Sequence, residues 1–366
     1  MDRVRSREAD GPARVTVASG RRHQVSGASS AQGMTRSGLI AFYVGLALVT
    51  GAVSWNTRYA EFGRAVEFQR EAWLLFETRG ATPKVSDALT GLYASRILVP
   101  GAIAGVTRLT GLSWEYAFVV VRLLSIVATY LAFHWYLRGW FSTPHAVLGT
   151  TFLAATIPLT FLQLFEIPSD FPEILAYTLG LWCIRERREL LLCAVIMIGT
   201  LNRETTVFLP LIQLFCRFGR RRLPIAWLSL SAASWLLPIV LVRWWTGPTW
   251  FVLYGVPLEH NVAGIARFVA NLNVYNNYLF YGYLFGIFWI LPFAFWRQQP
   301  QFLRRALLSV PLVLGTYLFF GHLNEPREIV NLYPLLVPGS LFALAENAGD
   351  SIGGRDGEVN RREGQA

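Results

Sequence analysis

Residues 189–216 read ELLLCAVIMIGTLNRETTVFLPLIQLFC, two apolar runs (189–201 and 203–216) meeting at Asn202-Arg203-Glu204-Thr205. Each run makes roughly 20 Å of helix, against a bilayer hydrocarbon core of about 30 Å. The polar break between them therefore falls below the membrane surface. Irregular polar backbone at that depth survives only where it is buried in protein or lines a water-filled cavity. The stretch predicts a helical membrane protein with a wet pocket reached from one face.

The rest of the chain agrees. Of 366 residues 53% are hydrophobic and 15% charged, where soluble domains carry about 25% charged residues. Aromatics make up 14%, including 13 Trp, which suits a chain with two membrane–water interfaces. The net charge of +10 comes from arginines scattered between apolar runs, Lys84 being the one lysine. They form no basic groove interleaved with base-stacking aromatics, so nucleic acid is not an expected partner. Cys183, Cys193 and Cys216 lie inside or at the edge of apolar runs, with neither CxxC nor Cys/His ligand spacing. No DxD, P-loop, GxGxxG or HExxH motif is present, so a nucleotide-sugar site or an ATP motor is unsupported, and the sequence does not define a cofactor.

The expected fold class is all-α and polytopic, with about ten transmembrane helices. They are expected near 39–55, 116–137, 146–165, 171–184, 189–201, 203–216, 225–242, 279–296, 306–320 and 329–345. Residues 1–38 and 346–366 are polar or Gly-rich and lack periodicity, which predicts disordered tails. Arginine clusters RERR (185–188), RFGRRR (217–222) and RQQPQFLRR (297–305) fall on the side of the N-terminal tail if the spans alternate. By the positive-inside rule that side is the cytoplasm, which predicts a multi-pass protein of the inner (plasma) membrane with a cytoplasmic N-terminus. A further span at 92–107 would reverse two of these clusters.

The opposite, external side then receives a long first loop, 56–115. Its first half, NTRYAEFGRAVEFQREAWLLFETRG (56–80), reads as an amphipathic interfacial helix. Glu61 and Glu67 are candidate general bases there, or charges solvated at the headgroups. Arg122 interrupts AFVVVRLLSIV about two turns inside the next span, and an ionisable residue there is a candidate site residue or a paired structural one. Glu166-Ile-Pro-Ser-Asp170-Phe-Pro-Glu173 forms a turn stiffened by prolines, its Asp170 a candidate carboxylate or a helix cap. In the break, Asn202, Arg203 and Glu204 are candidate substrate-binding residues, the Arg203 fork suiting a phosphate. Glu325 and Arg327, in HLNEPRE before the last span, are candidates for the same phosphate or belong to a solvated turn. The tryptophans Trp244, Trp245 and Trp250 read as the outer aromatic belt.

Three segments, YASRILVPGA (93–102), IGTLNRETTVFLP (198–210) and NEPREIVNLYPLLVP (324–338), resemble bacterial multi-span proteins related to the C-type (GT-C) glycosyltransferases. The likeness covers about residues 39–345. It implies a polyprenyl-phosphate-linked sugar as donor, a glycan, lipid or protein acceptor, and transfer on the external side. The resemblance gives the base to Glu61, or else Glu67, and phosphate binding to Arg96, Arg203 and Arg327. The better-known members carry a paired acidic motif straight after the first span, and this chain does not. A transporter or flippase of a lipid-linked or anionic solute would use the same arginines, as would a polysaccharide polymerase or an envelope scaffold.

Overall fold

The computed structural model describes residues 35–80, 96–158, 169–217, 225–246, 252–253, 256–257, 269, 286–320 and 326–347. Of the tails expected at 1–38 and 346–366, residues 1–34 and 348–366 lie outside them, while Arg36–Gly38 and Glu346–Asn347 belong to helices. The described chain is helical, apart from an antiparallel pairing of Val252–Leu253 with Val256–Pro257. The helices are α1 (Arg36–Glu77), α2 (Leu98–Thr110), α3 (Trp114–Leu137), α4 (Thr143–Thr156), α5 (Asp170–Glu186), α6 (Glu189–Thr200), α7 (Phe208–Arg217), α8 (Ile225–Thr246), α9 (Gln301–Leu307), α10 (Val310–Phe320) and α11 (Tyr333–Asn347).

Four stretches are long and apolar enough to cross a membrane: Arg36–Val53, Trp114–Leu137, Ile225–Thr246 and the α9–α10 run Gln301–Phe319. Their outward faces keep large apolar side chains exposed, such as Leu48 and Val49 on α1 and Leu236, Leu237 and Leu241 on α8. Rows of this kind are a liability in water and the expected surface in lipid. Apolar helices Leu98–Thr110, Glu189–Thr200 and Ile329–Leu344 are shorter.

Central α3 packs on α1, α2, α4 and α5. Its buried aromatics Tyr130, Phe133 and Tyr136 interlock with Tyr43, Phe171 and Tyr177. Two hydroxyl pairs cross this core: Tyr43 meets His134 Nδ1 at 2.7 Å and Thr50 meets Tyr130 at 2.8 Å, while the buried Tyr136 hydroxyl makes no hydrogen bond among the described residues. Helix α5 ends at Arg187 in the left-handed conformation (φ 57°). The Arg188 amide donates to the Cys183 carbonyl at 2.9 Å, which turns the chain straight into antiparallel α6.

Two expectations change in detail. The first span and the helix after it form one 42-residue helix, about 63 Å long and twice what a bilayer needs. Beyond Val53 it crosses the ends of other helices instead of lying apart from them. Phe62 packs edge-on to Phe118 of α3, Phe76 packs on Trp245 of α8, and Gly80 (φ 77°) abuts the Thr246 carbonyl. The span expected at 279–296 is broken where described, into the turns Gly286–Trp289, Leu291–Ala294 and Trp296–Gln298. Gly286 adopts a positive φ of 47°, and Pro292 removes a backbone donor, so the apolar run does not propagate as one helix.

Candidate functional site

The site forms where α5 begins and α6 ends. Asp170 and Glu173 stand three residues apart in the first turn of α5, a spacing that puts both carboxylates on one helix face. Both are fully buried. Such charges persist only with a counter-ion, and the break after α6 supplies it. Arg203 Nη2 lies 3.2 Å from Asp170 Oδ1, and Arg203 Nη1 donates to Glu173 Oε2. The Thr205 hydroxyl donates to the other Glu173 oxygen at 2.5 Å.

The break is held in shape by its own bonds. The Asn202 side-chain amide donates to the Ser169 carbonyl at 2.8 Å, and the Tyr177 hydroxyl donates to the Thr205 carbonyl. Trp235 of α8 donates its indole N–H to the Glu204 carbonyl at 2.7 Å. The hydroxyls of Thr200 and Thr206 meet at 2.7 Å. Together these bonds occupy the backbone groups that a helix would otherwise pair internally.

Arg96 arrives from the segment before α2, fixed by the Leu98 amide donating to the Leu201 carbonyl at 2.9 Å. It grips Glu204 with two prongs, Nε–Oε2 at 3.2 Å and Nη2–Oε1 at 2.5 Å. Glu204 opens the 3-10 turn Glu204–Val207, which leads from the break into α7.

Beside the break lies a narrow, partly open cleft lined by Phe68, Gln69, Ala72, Arg96, Val99, Ser169 and Asn202. Its roof is the part of α1 beyond the apolar window.

Of the residues expected from sequence, Asp170, Asn202, Arg203, Glu204 and Arg96 thus come together. The Arg203 fork is engaged by carboxylates instead of being presented to a phosphate. Arg122 is buried on α3, seven residues before Thr129, whose hydroxyl donates to the Phe171 carbonyl at 2.9 Å. Gly51 of α1 faces Leu123, so Arg122 stands near the level where the α1 apolar window ends at Val53. Glu67 is exposed on the α1 segment whose neighbours Phe68 and Gln69 roof the cleft. The side chains of Glu61, Glu325 and Arg327 lie outside the described residues. The backbone of Arg327 belongs to the 3-10 stretch Pro326–Leu332, which packs on α5.

Glu173, Thr205, Ser169 and Gln69 were not among the expected site residues. The Asp170–Glu173 spacing was a usable signal for the first and the polar break at 202–205 for Thr205, while nothing local marks Ser169 and Gln69. Among the described residues no group of three or more His, Cys, Asp or Glu side chains is arranged to hold a metal ion.

The helices and their buried ionic break define a helical membrane-type protein. No protein-family model, curated protein or solved structure matches the chain.

Proposed function

We propose that the protein is a C-type-like membrane glycosyltransferase, moving a sugar from a polyprenyl-phosphate donor to an envelope acceptor at the external face of the plasma membrane. In this reading the chain crosses the bilayer about ten times, with its N-terminus in the cytoplasm. One observation carries it: the three segments behind the family resemblance converge. Arg96 holds Glu204, the Leu98 amide holds the Leu201 carbonyl, and the stretch containing Arg327 packs on α5, whose Tyr177 holds the Thr205 carbonyl.

The proposed sidedness draws support from the opposite end of the bundle, where arginines gather. There Arg217 pairs with Glu189 at 2.5 Å, Arg305 donates to the Cys216 carbonyl at 3.0 Å, and Arg185 donates to the Tyr136 carbonyl. A basic end is the cytoplasmic one under the positive-inside rule.

The reaction is inverting transfer. A carboxylate takes the proton from an acceptor hydroxyl as its oxygen attacks the anomeric carbon, and the lipid phosphate departs with the bonding pair. General-base help is worth about 10²–10⁴ in rate, and arginines oppose the charge growing on the leaving phosphate. Glu61 and Glu67 are the proposed bases. Asp170, fully buried against Arg203, acts as its positioning residue. The donor phosphate draws on Arg327 and Arg122, and on Arg96 when it releases Glu204.

The test is reconstituted protein supplied with radiolabelled polyprenyl-phosphate sugar and an acceptor pool. A new covalent glycan, lost when Glu61→Gln and Glu67→Gln are combined, is the expected result. Product formation unchanged in the double variant overturns the base assignment. Translocation of the donor without any product favours a transporter. That second reading draws on the two half-length helices α6 and α7, meeting at a polar break as they do in anion pathways.

A further inference from the structure

Two buried polar atoms of the cleft make no hydrogen bond among the described residues: Ser169 Oγ and Asn202 Oδ1. Ser169 is 5% exposed and Asn202 1%, and both line the cleft beneath Phe68 and Gln69. Leaving such atoms unmet costs about 1–3 kcal/mol each, so two of them on residues that line one cleft call for an explanation. What they ask for is set by their chemistry. Asn202 Oδ1 only accepts, because its amide nitrogen is committed to the Ser169 carbonyl. Ser169 Oγ accepts or donates. The missing group must therefore donate to Asn202 Oδ1, and a hydroxyl does so while also meeting Ser169 Oγ.

An anion does not fit. The neighbouring charges are two guanidinium groups, Arg96 and Arg203, facing three carboxylates, Glu204, Asp170 and Glu173. A phosphate oxygen would find another acceptor in Asn202 Oδ1 and two guanidinium groups already engaged by carboxylates. The interior of the cleft is wide enough for about one oxygen atom, and Phe68 at its wall offers an apolar surface to the C–H face of a ring.

We propose that Ser169 and Asn202 form a subsite for a single hydroxyl of an uncharged sugar, with the sugar ring against Phe68 and Arg96 at the mouth. The glycosyltransferase reading enters only in choosing a sugar among hydroxylated ligands. The subsite binds whether or not transfer follows, so its failure is separable from failure of that reading.

Saturation-transfer NMR on the full chain in nanodiscs, with the methyl glycosides of glucose, galactose and mannose as probes, reads the subsite directly. At least one glycoside is expected to receive saturation, and inorganic phosphate at equal concentration should not displace it. Ser169→Ala removes an atom that bonds nothing in the protein. It should leave the melting temperature unchanged or raised and weaken glycoside binding roughly fivefold, the size of one lost hydrogen bond. Asn202→Leu should abolish binding. Displacement by phosphate, saturation of glycerol but of no glycoside, or unaltered binding by Ser169→Ala each overturns the proposal. So does a fall in melting temperature for Ser169→Ala without glycoside binding, which assigns the pair to a structural water.

Discussion

Arg96 and Glu204, 108 positions apart, meet through two parallel nitrogen–oxygen contacts of 3.2 and 2.5 Å. This pair ties the segment leading into α2 to the turn between α6 and α7. Its partner bond, Leu98 amide to Leu201 carbonyl, makes the junction rigid in both side chain and backbone.

That junction is open to a direct test. Glu204→Gln leaves the Arg96 guanidinium without its carboxylate partner, so a lowered melting temperature is expected. A variant that melts like the parent rules the linkage out.

Arg203→Ala leaves Asp170 and Glu173 buried together without their counter-ion. Removing one member of such a set costs about 3–5 kcal/mol, a clear drop in the melting temperature of detergent-solubilised protein. The neutral triple Arg203→Met, Asp170→Asn, Glu173→Gln should regain much of it. A single variant melting like the parent contradicts the assigned pairing.

Gly80 is the stop at the end of α1. Its φ of 77° suits glycine, and a Cβ there would lie 2.1 Å from the Thr246 carbonyl oxygen. Gly80→Ala therefore combines left-handed strain of about 1–3 kcal/mol with a clash against backbone that cannot swing aside. A lowered melting temperature is expected; none would mean that α1 and α8 are not joined here.

Sidedness is open to cysteine mapping, because the native Cys183, Cys193 and Cys216 are all buried. Glu67→Cys at the roofed end and Glu186→Cys at the arginine-rich end should react from opposite sides with a membrane-impermeant maleimide. Position 67 should react in intact cells and position 186 only after permeabilisation. Labelling of both from one side refutes the proposed orientation.

The helical class was legible from composition, and the placing of Trp114–Leu137, Ile225–Thr246 and the α6–α7 break followed from run length. What the runs concealed was pairing. Nothing within LNRETT reveals that Arg203 answers two carboxylates some 30 residues earlier, because an ion pair between helices has no sequence period. The run at 279–296 misled for a different reason: hydropathy measures lipid affinity but is blind to the backbone breaks at Gly286 and Pro292. The upper half of α1 was recognised as amphipathic. Its apolar stripe did not reveal that it would meet the ends of α3 and α8.

The charged triad of Asp170, Glu173 and Arg203 also constrains how the chain is made. Asp170 and Glu173 lie in the first turn of α5, and their counter-ion Arg203 is synthesised only after α6. The triad therefore closes only once the chain from Asp170 through Arg203 has been made.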